Sequence, residues 1–289
     1  MSGAGRYATV EMAAAAGCEG WQAELKLRFA RTPSRTVLAA QRHQGPLRVQ
    51  RMFYPESGGV CHAYILHPPG GVVAGDNLTL EAEMGARAQT LFTTPAATKF
   101  YRSTGRMACA RQRLAVAAGA ELEWFPQENI IFHGARAELV TRVELAADSA
   151  FMGWEILCLG RPAAHERFSA GACRQSFEIW REGRAVWMER AHYGGDSPVL
   201  LAKWGMAAQP VAASFVCVAW RPDLIGALRK LADAHGAASC SVTQLDEVIA
   251  ARYLGPCAEA AKHYFMQVWT ILRPEMLGRA ACAPRIWRT

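Results

Sequence analysis

The chain has 289 residues, 51% of them hydrophobic, with 32 Lys and Arg against 25 Asp and Glu and a formal charge of +7. This is enough material for a large core, and no apolar run reaches the ~18 residues that a membrane-spanning helix needs. The basic residues are scattered singly, with no basic helix or tract, which argues against nucleic acid and for a solvated basic surface facing an acidic protein.

Residues 1–19 read as a flexible tail, because Glu11 precedes a four-alanine run too short for a secretory apolar segment. Residues 20–289 read as one domain without a break in composition. The nine cysteines include no Cys-x-x-Cys pair. A structural zinc site is therefore not expected, and the thiols read as reduced, mostly small core residues of a cytoplasmic protein.

In chain order, the first element is Trp21 to Phe29. Trp21, Ala23, Leu25, Leu27 and Phe29 share one face and Gln22, Glu24, Lys26 and Arg28 the other, the period of a half-buried strand. Strand-like runs follow at 36–40, 47–53, 61–66, 78–84, 89–93, 107–116, 121–125, 139–145 and 151–159. Residues 173–180 and 185–192 form a hairpin around Glu182-Gly183, and further strands are predicted at 200–203, 214–220 and 248–254. No fixed-period repeat marks a regular solenoid. Helix comes late. Pro222 opens one with Leu224, Ile225, Leu228 and Leu231 on one face, closed by His235-Gly236 as a glycine cap. Gly255-Pro256 opens a second with Ala261, Tyr264, Phe265, Val268, Trp269 and Leu272 inward, ended by Pro274. The tail from Ala280 reads as extended.

Between the fourth and fifth runs lies His67-Pro68-Pro69-Gly70-Gly71-Val72-Val73-Ala74-Gly75-Asp76, a kinked connection with a carboxylate at its exit. It lacks the following helix that a phosphate-binding loop requires. Neither a nucleophile-elbow nor a zincin motif is present, and Lys99 with Tyr101, two apart on one strand face, is the lone candidate acid–base pair. His62 and His67 point to opposite faces of one strand and cannot share a metal without a bend; they, His43 and His133 read as surface or capping residues. The acids are more telling. Glu155 lies in an unbroken apolar run and Glu189 in register with Ala185, Trp187 and Ala191. A dry, unpaired carboxylate costs several kcal/mol, so each needs a basic partner, water or a passing cation. Glu123, beside Trp124, is expected to point outward, and Glu128 is a lesser candidate.

Several motifs stand in order: His67-Pro68-Pro69-Gly70-Gly71 with Gly75-Asp76, Thr93 to Ser103 containing Lys99 and Tyr101, and Glu123-Trp124-Phe125-Pro126. Gly160-Arg161-Pro162 and Pro284-Arg285-Ile286-Trp287 complete the series. In this order they resemble the urease accessory protein UreD family, called UreH in some organisms. The resemblance implies two stacked sheets with β-helix-like winding and two helices in the C-terminal third. It implies a non-enzymatic factor that binds apo-urease and UreF, and the GTPase UreG through UreF, in which a dimer can form. It also implies no permanently bound cofactor, and nickel in transit along a path that uses Asp76, Glu155 and Glu189. The C-terminal segment is expected to contribute to UreF binding. Two other readings remain open: a β-fold enzyme acting on a small or sugar-like ligand with the Lys99/Tyr101 face, and a basic β scaffold for acidic proteins without a metal role.

Overall fold

A computed structural model describes residues 20–236 and 238–288. The expected tail, 1–19, lies outside them. The chain starts with an antiparallel hairpin, β1 (Gln22–Arg31) and β2 (Thr36–Gln44), and a short β3 (Arg48–Val49). It then winds. The first coil is β4 (Cys61–Leu66), β5 (Gly71–Val72) and β6 (Asn77–Met84); the second is β7 (Gln89–Thr93), β8 (Thr98–Phe100) and β9 (Ala108–Val116). The third is β10 (Glu121–Phe125), β11 (Asn129–Ile131) and β12 (Arg136–Leu145), and β13 (Ala150–Leu159) with β14 (Ala172–Arg181) make a fourth. Successive coils begin at Cys61, Gln89, Glu121 and Ala150, and their strands stack in parallel register. The remainder is antiparallel and helical: β15 (Arg184–Gly194), β16 (Val211–Val218), α1 (Pro222–Asp233), β17 (Ser239–Leu245), β18 (Val248–Gly255) and α2 (Ala258–Leu277).

The result is mostly β, with two stacked sheets, β-helix-like winding and two helices. One sheet runs β15-β14-β12-β9-β6-β1-β2 and the other β17-β18-β16-β13-β10-β7-β4-β3, with β5, β8 and β11 forming a short side ladder against β13. Alternation explains the first core. Leu25, Leu80, Leu114, Val143 and Phe177 from one sheet meet Phe92, Trp124 and Phe151 from the other. The reverse face of the second sheet makes a second core, where Phe125, Trp154 and Phe215 meet Tyr264, Phe265 and Trp269 of α2. Trp269 therefore anchors the helix, with 1% exposure. The Glu182-Gly183 turn has φ of 48° and 75°, the paired positive values that join twisted hairpin strands.

Several local expectations give way to tertiary context. Trp21 precedes β1 and is 58% exposed. Of residues 47–53 only Arg48–Val49 extends as a strand, joined by a single bridge from Phe53 to His62. Residues 198–200 form a 3-10 turn rather than part of a strand at 200–203. α1 ends at Ala234 in right-handed conformation, without a glycine cap. Pro274 does not stop α2, which runs one more turn until Gly278, at φ 66°, returns its N–H to the Pro274 carbonyl. The tail folds back: residues 285–288 form a 3-10 turn, and Trp287 donates Nε1–H to Thr93 Oγ1 at 2.8 Å while its ring lies against Trp154 and Trp269.

Glu123 is corrected most sharply. It does point opposite Trp124, but α2 covers that face and Glu123 is fully buried. Arg273 Nε and Nη2 donate to its two oxygens at 2.9 Å each, and Trp269 Nε1 donates at 2.7 Å. The same guanidinium reaches Glu56 at 2.7 and 2.8 Å, and Glu56 also meets His62, which is buried rather than at the surface. Arg279 from the tail adds a contact to Glu121 at 2.6 Å. Burial alone would raise the Glu56 pKa, but the hydrogen bonds and charges of His62 and Arg273 outweigh it and hold the carboxyl at about 2.

Two outcomes follow from this ionic clamp. Glu123→Gln leaves Arg273 buried and half-compensated, so chemical denaturation should show a loss of about 3–5 kcal/mol, with truncation after Leu277 also destabilising because it removes Arg279 and Trp287. Glu56, depressed in the folded state, stabilises the fold fully above its unfolded value of 4.5 and loses that contribution as pH falls toward about 2. Acid titration of stability should be shallower between those values in Glu56→Gln than in the parent.

Candidate functional site

The loop with the prolines and glycines forms the first coil corner. Gly70 N–H returns to the His67 carbonyl, and Asp76 N–H to Val73. A Cβ on Gly71 would collide with the Tyr101 ring, which also meets Phe132 edge to face. Asp76 is buried, and both its oxygens are committed: Oδ1 accepts from Trp21 N at 2.9 Å and Oδ2 from Val73 N at 3.0 Å. It pins the start of β1 to the loop as a turn cap. His67 stands beside it. Burial lowers the imidazole pKa, the Asp76 charge pulls the other way, and Nε2 has no hydrogen-bond partner among the described residues. Tyr101 is 38% exposed and Lys99 is exposed. Pro126 presents its carbonyl to Trp154 Nε1 at 2.7 Å. Arg161 pairs with Glu166 at 2.6 Å and stacks on Phe132, holding the turn that Pro162 opens. In the tail, buried Pro284 accepts from Trp287 N–H, and Arg285 is exposed.

Glu155 and Glu189 are the two predicted acids that the fold brings together. Glu155 points from β13 into the space between the sheets and is 6% exposed. Trp124 Nε1 donates to its Oε1 at 3.1 Å, and Thr141 Oγ1, from β12 on the opposite sheet, donates to the same atom at 2.7 Å. None of the described hydrogen bonds reaches Oε2. The neighbouring residue across the β13–β16 pair is Ser214, whose hydroxyl contacts both oxygens of Glu189 at 3.0 and 2.9 Å. Glu189 comes from β15, so the Ser214 hydroxyl ties the strand beside Glu155 to a carboxylate of the opposite sheet. The bulge between Ile179 and Trp180 puts Ala185 out of that inward face, which keeps Trp187, Glu189 and Ala191.

The electrostatics set this pair apart from the clamp under α2. Neither Glu155 nor Glu189 makes an ion pair among the described residues. Arg252, beside Ser214 on β18, stacks on Trp187 instead. Burial raises the Glu155 pKa above the usual carboxyl range; Thr141 and Trp124 oppose the rise, and the Glu189 charge adds to it. Gln112 extends the polar seam, its side-chain amide 3.1 Å from Thr141 Oγ1, and both Gln112 and Glu189 retain partial exposure although their strands direct them between the sheets. Asp76 stands apart. It precedes β6 by one position, whereas the rung of Gln112 and Thr141 aligns with Leu80, about 13 Å further along the strand.

Sequence reasoning missed Thr141, Ser214 and Gln112. Each is a polar residue at an inward position of an otherwise apolar strand, a signal readable once alternation is applied to the whole of β9, β12 and β16. It also missed Glu56, Arg273 and Arg279, whose pairing spans distant segments. Among the described residues no group of three or more His, Cys, Asp and Glu could hold a metal ion. The described cysteines are free; those at 61, 158, 173 and 217 are buried, and burial pushes their thiols up to about 12.

A family model described as UreD urease accessory protein matches residues 22–288. Urease accessory protein UreD of Dechloromonas aromatica is 47% identical, with 93% of this chain and 95% of the relative covered. UreD of Azoarcus sp. strain BH72 is 45% identical with the same coverage of both chains, and UreD 2 of Brucella anthropi 43% identical over 93% of this chain and 99% of the relative. The order of motifs from the first coil corner to Trp287 and a match through nearly all the described residues have one meaning: the chain belongs to the UreD urease accessory protein family.

Proposed function

We propose that this chain is a non-enzymatic urease maturation factor acting in the cytoplasm. In this reading it binds apo-urease and UreF, engages UreG through UreF, and lets nickel pass between its two sheets. The observation that carries the nickel step is the meeting of Glu155 and Glu189: two carboxylates from opposite sheets, one in an apolar interior, lie close enough to feel each other's charge, with no cation beside them among the described residues. Oxygen donors too few to complete a coordination shell bind a divalent ion weakly and release it, as transit requires. The ion would enter with part of its water shell, favour the ionised form of Glu155 against the desolvation that raises the carboxyl pKa, and leave without a complete set of ligands to hold it. Weak nickel binding by the isolated chain, micromolar or poorer, belongs to the same reading. Thr141 and Trp124 donate to Oε1 and so fix the carboxyl orientation with Oε2 left toward the seam.

Two measurements test this reading. Because the raised pKa of Glu155 means that ionisation opposes folding, its cost grows as pH rises above the unfolded value of 4.5. Glu155→Gln removes the ionisable group and keeps the shape, so at pH 7 it should be at least as stable as the parent, in contrast to Glu123→Gln. Co-expression with urease and its accessory proteins gives the functional arm. Glu155→Gln and Glu189→Gln should retain complex recovery and lower nickel per active site severalfold, while Asp76→Asn, whose parent oxygens both hold backbone, should leave the metal content of recovered complexes unchanged. Full nickel content in both glutamate variants would reject the route.

A further inference from the structure

A second site lies on the coil corners, away from the inter-sheet seam. An open cavity of about 320 Å³ is lined by the side chains of Arg102, Thr104, His133 and Arg136. Its walls come from consecutive coils stacked by backbone hydrogen bonds: Ser103 N–H donates to the Gly134 carbonyl at 3.0 Å, and Gly134 N–H donates to Ala170 at 2.9 Å. Glycine makes the close stacking possible. Gly134 has φ 76°, and a Cβ there would stand 3.0 Å from Arg102 Cγ, so the arginine stem lies flat across it. Gly171, at φ 99°, lets the next coil approach the Ala135 carbonyl where any side chain would collide.

The charge at this corner is uncompensated. No carboxylate lines the cavity. The side chains of Arg102 and Arg136 make no ion pair or hydrogen bond among the described residues, whereas Arg111, Arg142, Arg161, Arg181, Arg190 and Arg273 each face an acid. Glu166, which meets His133, is already occupied: Oε2 binds Arg161 at 2.6 Å and Oε1 accepts the His133 backbone N–H at 3.1 Å. His133 Nδ1 lies 3.3 Å from Ser169 Oγ, which leaves the other ring nitrogen available.

We propose that this corner binds a small tetrahedral oxyanion of the phosphate class, held by Arg102 and Arg136 with the Thr104 hydroxyl and the His133 ring as further donors. A lone carboxylate is satisfied by one arginine fork, but two guanidinium groups from different coils, joined by a hydroxyl and an imidazole, distribute donors in three dimensions as a phosphate requires. The proposal is independent of the nickel route, since it uses none of the seam residues.

Titration of inorganic phosphate into the full chain at constant ionic strength, followed by calorimetry, should give saturable binding at one site. The Arg102→Gln/Arg136→Gln double variant should weaken it at least tenfold. An Arg28→Gln/Arg174→Gln double variant, which removes the same charge from exposed strand faces, should stay within twofold of the parent. Arg136→Gln alone provides a milder variant, expected to weaken binding severalfold, and circular dichroism confirms that each variant is folded. Absence of saturable binding, equal weakening in the control pair, or equal affinity for acetate would each overturn the proposal.

Discussion

The Arg273 guanidinium decides how the second sheet is covered. It enters from α2 and engages Glu123 and Glu56, while Arg279 from the tail joins the same acids and Glu121. Desolvating these charges separately would cost several kcal/mol each, so helix, tail and sheet must assemble together or leave a charge stranded. The aromatic layer then follows. With α2 fixed in place, Trp269, Phe265 and Trp287 close over Phe125 and Trp154. The first core, by contrast, is built from apolar side chains over the parallel stacking of the coils.

This clamp gives a standard against which the inter-sheet acids can be judged. On adjacent strands but opposite faces of the same sheet, Glu123 and Glu155 are both buried carboxylates, and among the described residues only Glu123 has a cation partner. Glu155 is held by an indole N–H and a hydroxyl, donors that orient a carboxyl without neutralising it. Glu189 adds a like charge nearby. An arrangement optimised for stability alone would place an apolar side chain or an arginine at such a position, and the cation missing from the fold is supplied in our reading by the metal in passage.

The sequence carried the strands well where one face is buried and the other wet. Ala23, Leu25, Leu27 and Phe29 of β1 and the β14–β15 hairpin turn were legible from alternation and turn chemistry alone. The winding was not, because coils starting 28, 32 and 29 residues apart share no repeated side chain, and the order of stacking is set by long-range hydrogen bonds. The two-sheet winding came from the resemblance to a family. Glu123 was misplaced because alternation tells which face a residue takes but not whether a third layer covers that face. β17 was missed because Ser239–Leu245 is largely polar and joins the sheet as an edge. Of the site, Glu155 and Glu189 were visible as acids at apolar positions, while their meeting across the two sheets depends on strands distant in the chain.

The most direct test of the central claim is anomalous diffraction at the nickel absorption edge from crystals of the chain bound to its accessory partners and loaded with Ni2+. The account predicts an anomalous peak between the sheets, within coordination distance of Glu155 Oε2 or a Glu189 carboxylate oxygen. Nickel density confined to surface histidines, with the Glu155 and Glu189 carboxylates unchanged and no ion beside them, would contradict it.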